Sequence, residues 1–188
     1  MEVWDIIKFL APIVIIVFVV RTYVAQPFIV DGESSAPNFH TGHYLIIDEI
    51  SYRFREPARG EVIVLRYPLQ PSRFFLKRII AMPGERILIK DGKVTIFNTE
   101  NPKGFALDEP YLVQATFPAG PYRDVTLKEG EYFVMGDNRS GSDDSRMWGI
   151  LPRENITGRA LIRLFPLKLI GITPASVDDF TSATTTQK

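Results

Sequence analysis

The chain has no cysteine and only two histidines in 188 residues. Without cysteine there is no disulfide, no thiol nucleophile and no thiolate ligand for zinc or an iron–sulfur cluster. His40 and His43 alone leave little for a histidine-built metal site. Net charge is also missing: 22 basic and 22 acidic side chains cancel, which argues against a nucleic-acid binder held by bulk electrostatics. No metal, cofactor or nucleic-acid partner is therefore expected. No internal repeat or heptad pattern is visible. What is present is globular in character, with 45% hydrophobic and 23% charged residues. Fourteen prolines and thirteen glycines predict many turns, favouring β structure over helical bundles.

The mean hydropathy of +0.01 averages two unlike parts. Phe9 to Val30 carries one charge, Arg21. A bilayer-spanning helix needs about 20 mostly apolar residues. The uncharged stretch before Arg21 is too short alone, but lengthens if Lys8 and Arg21 reach toward the two interfaces and Trp4 and Tyr23 sit among headgroups. A cleaved leader lacks its basic start and its small-residue cleavage site. A buried core helix is a third reading, although no polar face is present. A retained anchor over residues 1–24 fits best. Lys8 and Arg21 flank it, so charge counting leaves its orientation a tie.

Beyond Val30 short apolar runs recur between turn residues, as in a β domain over residues 25–174. The runs predict strands at Tyr44–Ile50, Glu61–Tyr67, Arg73–Ala81, Arg86–Lys90, Lys93–Phe97, Tyr122–Leu127, Glu131–Met135 and Arg159–Phe165. Asp91-Gly92 between two of them is a strong hairpin signal, because both turn positions need positive φ. Residues 98–121, rich in Pro, Gly and Asn, read as an irregular excursion. Residues 175–188 read as a polar, disordered tail.

Three segments could carry chemistry. In VDGESSAPNFHTG, Ser34 sits between a glycine turn and Pro37, well placed for exposure, although such loops are commonly only turns. In FFLKRII, Lys77 and Arg78 interrupt an apolar strand. Alternation puts them on opposite faces, so one charge enters an apolar environment unless the strand is a charged edge. A buried lysine has a lowered pKa and offers a neutral amine as base; arginine cannot. In MGDNRSGSDDSRMWG, Asp, Arg and Gly interleave densely enough for a rigid polar loop.

Taken in order, these segments resemble the type I signal peptidases. The apolar anchor ends in Gln26-Pro27-Phe28. Gly32 to Pro37 fits the nucleophile box, and Arg59 to Val64 the strand after it. Lys77 to Glu85 fits the lysine box. Gly136-Asp137-Asn138-Arg139, Ser142, Asp144-Ser145-Arg146 and Trp148-Gly149 fit the last. The resemblance runs to about Pro166. It implies a mainly β, antiparallel-sheet, signal-peptidase-like catalytic domain with one N-terminal transmembrane helix.

The resemblance makes Ser34 the nucleophile and Lys77 its base, in a membrane-anchored serine endopeptidase that cuts exported preproteins after small residues. Its partners are then a signal peptide and the lipid bilayer. A single pass places the domain on the extracytoplasmic side of the cell membrane. It assigns Ser142 a hydrogen bond that holds the lysine, and Asp144, Arg146 and Asp137 the bracing of the loop. The Ser34 N–H is the oxyanion donor. Relatives that add a serine two residues earlier have Gly32 there instead, leaving any second donor to the backbone. Pro27, Phe28, Ile29, Ser35 and Pro37 lie nearest substrate and membrane. One departure stands out: Ser35 replaces the family's usual methionine. A Ser–His pairing with His40 or His43 is a minority reading. Other readings are a peptidase specialised for one pilin-type precursor, or an inactive membrane-tethered peptide binder. Self-cleaving repressors with the same dyad are soluble and carry a DNA-binding helix-turn-helix, where this sequence has an apolar anchor.

Overall fold

The computed structural model describes Trp4 and residues 7–14, 25–112 and 123–173. Most of the expected anchor, part of the 98–121 excursion and the 175–188 tail lie outside the described residues. Residues 7–14 are helical, with Phe9, Leu10 and Val14 exposed. Among the described residues, no helix is long and apolar enough to cross a membrane.

The described body is built from antiparallel strands. They are β1 (Ala25–Ile29), β2 (Tyr44–Asp48), β3 (Val62–Arg66), β4 (Phe74–Ala81), β5 (Arg86–Lys90) and β6 (Lys93–Phe97). After them come β7 (Phe105–Ala106), β8 (Arg123–Thr126), β9 (Glu131–Met135), β10 (Leu151–Pro152), β11 (Ile156–Phe165) and β12 (Gly171–Ile172). The large sheet runs β1-β2-β11-β3-β4-β9-β10, with β12 added to β11; the small sheet runs β7-β6-β5-β8. The predicted hairpin is present: Lys90 pairs with Lys93 across Asp91 and Gly92, both at positive φ. The excursion is less irregular than expected, because Phe105–Ala106 pairs with β6. Strands of two residues such as β7, β10 and β12 carry too little pattern to read. β11 also begins earlier than expected, at Ile156, where a register shift against β3 interrupts the alternation.

β3 is buried on both faces, as its unbroken apolar run requires. Val62 and Val64 pack with Val30, Phe39, Leu45, Ile47 and Leu76. Ile63 and Leu65 pack on the other side with Ile79, Tyr132, Val134 and Leu151. The far end of β4, Ile80 and Ala81, joins Ile87, Ile89, Val94 and Ile96 and so attaches the small sheet to the large one. β4 pairs with β3 on one side and, from Arg78 onward, with β9 on the other, so Phe74 to Lys77 keeps an open edge. Lys77 and Arg78 are nonetheless both buried, which excludes the solvated, charged-edge explanation of the two charges.

Candidate active site

The loop after β1 is closed at its base. The Val30 N–H donates to His43 O, and the Gly42 N–H donates to Val30 O, each over 2.9 Å. Gly32 takes φ +96°, where only glycine is unstrained, and its N–H donates to Thr41 Oγ1. That donor is thus committed inside the loop. Glu33 pairs with His40 Nδ1 at 2.8 Å. The bond to His40, with one from the Thr41 N–H, holds the Glu33 carboxyl below its ordinary pKa. His43 is buried, and burial pushes its pKa down. Neither histidine is hydrogen-bonded to Ser34.

Ser34 and Ser35 go to different places. Lys77 Nζ donates to Ser34 Oγ over 2.7 Å. Ser35 is 3% exposed and its hydroxyl donates to the Leu76 carbonyl. Among the described residues no acceptor takes the Ser34 N–H, which leaves it free to face an incoming oxyanion. Lys77 is also 3% exposed, and its Nζ lies 5.1 Å from the centre of the Phe75 ring, on the face that alternation predicts. Burial lowers its pKa from 10.5 to about 8; Asp144 and Asp143 pull it back up and Arg146 pushes it down.

The third segment packs over this pair. Asp144 is fully buried and accepts from the Gly136 N–H and from the Arg146 guanidinium, both nitrogens at 2.8 Å. It also caps the one-turn helix Ser145–Trp148. Asn138 grips the nucleophile loop twice: its N–H donates to Ser34 O, and its side chain to Glu33 O, each over 3.1 Å. Gly136 has no room for a side chain, since a Cβ would collide with Ser142 Oγ and Ser34 O.

Of two further expected contacts, one is present and one is not. Asp137 ties its loop to β4. It binds the Arg78 guanidinium through both oxygens at 2.8 and 2.7 Å and accepts from Asn38. Ser142 Oγ is buried beside Gly136 without a hydrogen-bond partner among the described residues, so the implied bond to Lys77 is not made.

Several participants were given no role, or were not noticed at all, in the sequence. Arg78, 1% exposed, stacks 4.0 Å over the Tyr111 ring. Arg139 pairs with Glu109 and donates to Gly136 O, and Asn38 donates to Tyr111 O. Glu109 and Tyr111 belong to the excursion, whose composition signalled only a loop. A cleft of about 140 Å³ opens on the Val64 and Phe74 face of the large sheet, opposite the face that carries the Lys77 side chain. Pro27, Phe28, Ile47, Val64 and Phe74 line it, with Glu49 and Thr157. Phe28 therefore faces a cavity, whereas Ile29 and Pro37 are exposed.

The family model "Signal peptidase, peptidase S26" matches residues 3–165. The chain belongs to the signal peptidase family. It is 37% identical over 170 residues to a probable signal peptidase I-2 of Synechocystis sp., covering 88% of this chain and 74% of that one. It is 34% identical over 174 residues to a signal peptidase I of Leptolyngbya laminosa, covering 88% and 81%. A crystal structure of a signal peptidase I from Enterococcus faecalis aligns with a TM-score of 0.47 and 29% identity, over 56% of this chain and 97% of that one. The segments that resembled the signal peptidase boxes, at Gly32–Pro37, Lys77–Glu85 and Gly136–Gly149, are brought together around Ser34.

Proposed function

We propose that this member of the signal peptidase family is a membrane-anchored serine endopeptidase that removes signal peptides from exported preproteins. The observation that carries the reading is the contact between the buried Lys77 amine and the Ser34 hydroxyl. A serine hydroxyl is a weak nucleophile until a base within hydrogen-bond reach takes its proton. A lysine pKa of about 8 makes the neutral amine available near physiological pH.

The chemistry follows. Neutral Lys77 accepts the Ser34 proton as Oγ attacks the scissile carbonyl. The Ser34 N–H donates to the oxyanion of the tetrahedral intermediate. As the intermediate collapses, the Lys77 ammonium gives its proton to the leaving amine, and an acyl–Ser34 ester remains. Lys77 then takes a proton from water as its oxygen attacks the ester, and returns that proton to Ser34 Oγ when the ester bond breaks, restoring the serine and the neutral amine. Asp144, Arg146 and Asn138 hold the serine loop in register with β4.

The substrate lies extended along the open edge of β4 before Lys77, where main-chain hydrogen bonds supply affinity. The family's preference for small residues at the cut carries over by resemblance. A membrane location is supported by the apolar sequence before Val24 and by the apolar surface of the domain. Register places Ile29, Tyr44 and Phe165 side by side across β1, β2 and β11. Ile29 and Phe165 are exposed, as are Leu167, Leu169, Ile170 and Ile172 beyond them. Such a strip suits a lipid surface. With residues 1–24 as anchor, the domain faces the side where signal peptides emerge.

The test is cleavage of an exported precursor by the full chain in lipid vesicles. The wild type should release the mature protein; Ser34→Ala and Lys77→Ala should not. Cleavage by Ser34→Ala at the wild-type rate would overturn the assignment.

A further inference from the structure

Adjacent serines of the nucleophile loop reach adjacent residues of β4: Ser34 Oγ meets the Lys77 amine, and the Ser35 hydroxyl donates to Leu76 O over 3.0 Å. The Leu76 carbonyl is a special acceptor. The Ile79 N–H donates to the carbonyl of Glu61, the residue just before β3, and in an antiparallel ladder alternate residues turn their polar groups to opposite sides. Phe75, Lys77 and Ile79 therefore bond toward β3, whereas Phe74, Leu76 and Arg78 face the other way. On that side Arg78 pairs with Met135, the last residue of β9. Leu76 lies past the end of β9, with its carbonyl on an open edge that the Ser35 hydroxyl occupies.

Other ties on the loop come from elsewhere. Asn138 holds Glu33 O and Ser34 O from the opposite segment. Ala36 N–H and Phe39 N–H bond within the turn. Apart from the Lys77 contact itself, the Ser35 hydroxyl makes the one hydrogen bond between described loop residues 31–42 and the strand that carries Lys77.

We infer that Ser35 is a positioning residue: its buried hydroxyl pins the nucleophile turn to the open edge of β4 and sets the reach from Ser34 to Lys77. A methionine, usual here in the family, cannot donate to Leu76 O, so this chain fixes its nucleophile by a bond that the usual residue cannot make. The inference rests on Ser34 acting as nucleophile. It has a second consequence. A substrate strand adding to the same edge finds the Leu76 carbonyl taken, so removing the hydroxyl loosens the nucleophile while freeing an acceptor for substrate.

The experiment measures kcat and KM on a precursor peptide, and acylation by a small serine-directed probe, for wild type, Ser35→Ala and Ser34→Ala. One lost hydrogen bond corresponds to about a three- to tenfold effect. Ser35→Ala is expected to lose that factor in kcat and in probe acylation, with KM unchanged or lower. A kcat within twofold of wild type would overturn the inference. So would a loss carried wholly by a raised KM, which would make Ser35 a substrate contact. A Ser35→Ala protein that fails to fold would assign the hydroxyl to stability and reject the positioning role. Activity retained in Ser34→Ala would instead overturn the underlying functional reading.

Discussion

Buried Lys77 makes a quantitative demand on the pH profile. With a pKa of about 8 in place of 10.5, roughly one molecule in ten holds a neutral amine at pH 7, against roughly one in 3,000 for an ordinary lysine. Burial thus supplies about a 300-fold gain in available base. Because kcat/KM reports the free enzyme, it should climb about tenfold per pH unit below 8 and level off above about pH 9. Asp143 is exposed and holds the Lys77 pKa up, so Asp143→Asn should move the midpoint toward acid without disturbing the fold. The assay is cleavage of a soluble precursor peptide between pH 5 and 10, with the folded fraction checked at each pH. A flat profile, or a midpoint near the ordinary histidine value that survives Lys77→Arg, would refute the assignment of the base.

The same burial has a cost in stability. The folded state lowers the Lys77 pKa, so protonated Lys77 destabilises it fully below about pH 8, and the penalty is relieved as pH rises toward 10.5. Lys77→Met should therefore raise the melting temperature at neutral pH, by up to about 3 kcal/mol of stability, with the advantage shrinking above pH 8 in thermal melts. Asp137→Ala leaves Arg78 buried without its carboxylate partner and should cost about 3–5 kcal/mol in urea unfolding. Gly136→Ala drives a methyl group into Ser34 O and Ser142. It should cost about 1–3 kcal/mol and depress kcat in the peptide assay more than it raises KM. A chain begun at Val24 should still cleave peptides, and should float with lipid vesicles less after Leu167→Asp plus Ile170→Asp than before.

Much of the site was legible because its chemistry is local. Lys77 stands out inside an apolar run, Ser34 sits between Gly32 and Pro37, and Asp144 and Arg146 bond within one turn. Alternation correctly put Lys77 on the Phe75 face. It could not tell that β4 gains a second neighbour from Arg78 onward, since whether a strand has neighbours on both sides depends on pairings with distant segments. The same limit hid Arg78. Its charge is compensated by Asp137, 59 residues away, and covered by Tyr111 from a segment read as an excursion. The resemblance gave Asp137 a bracing role without a partner, and Arg139 beside it turns to Glu109. Ser35 was visible only as a departure from a family pattern. Its meaning came from the Leu76 carbonyl, a backbone group to which no side-chain pattern points.

The most direct test of the central claim is to locate, by mass spectrometry, the covalent adduct formed with a serine-directed acylating probe. A Ser34–Lys77 pair predicts a single adduct on Ser34 that forms faster as pH rises through about 8 and is absent from Lys77→Ala. An adduct on another serine, or equal labelling of Ser34 with and without Lys77, would contradict it.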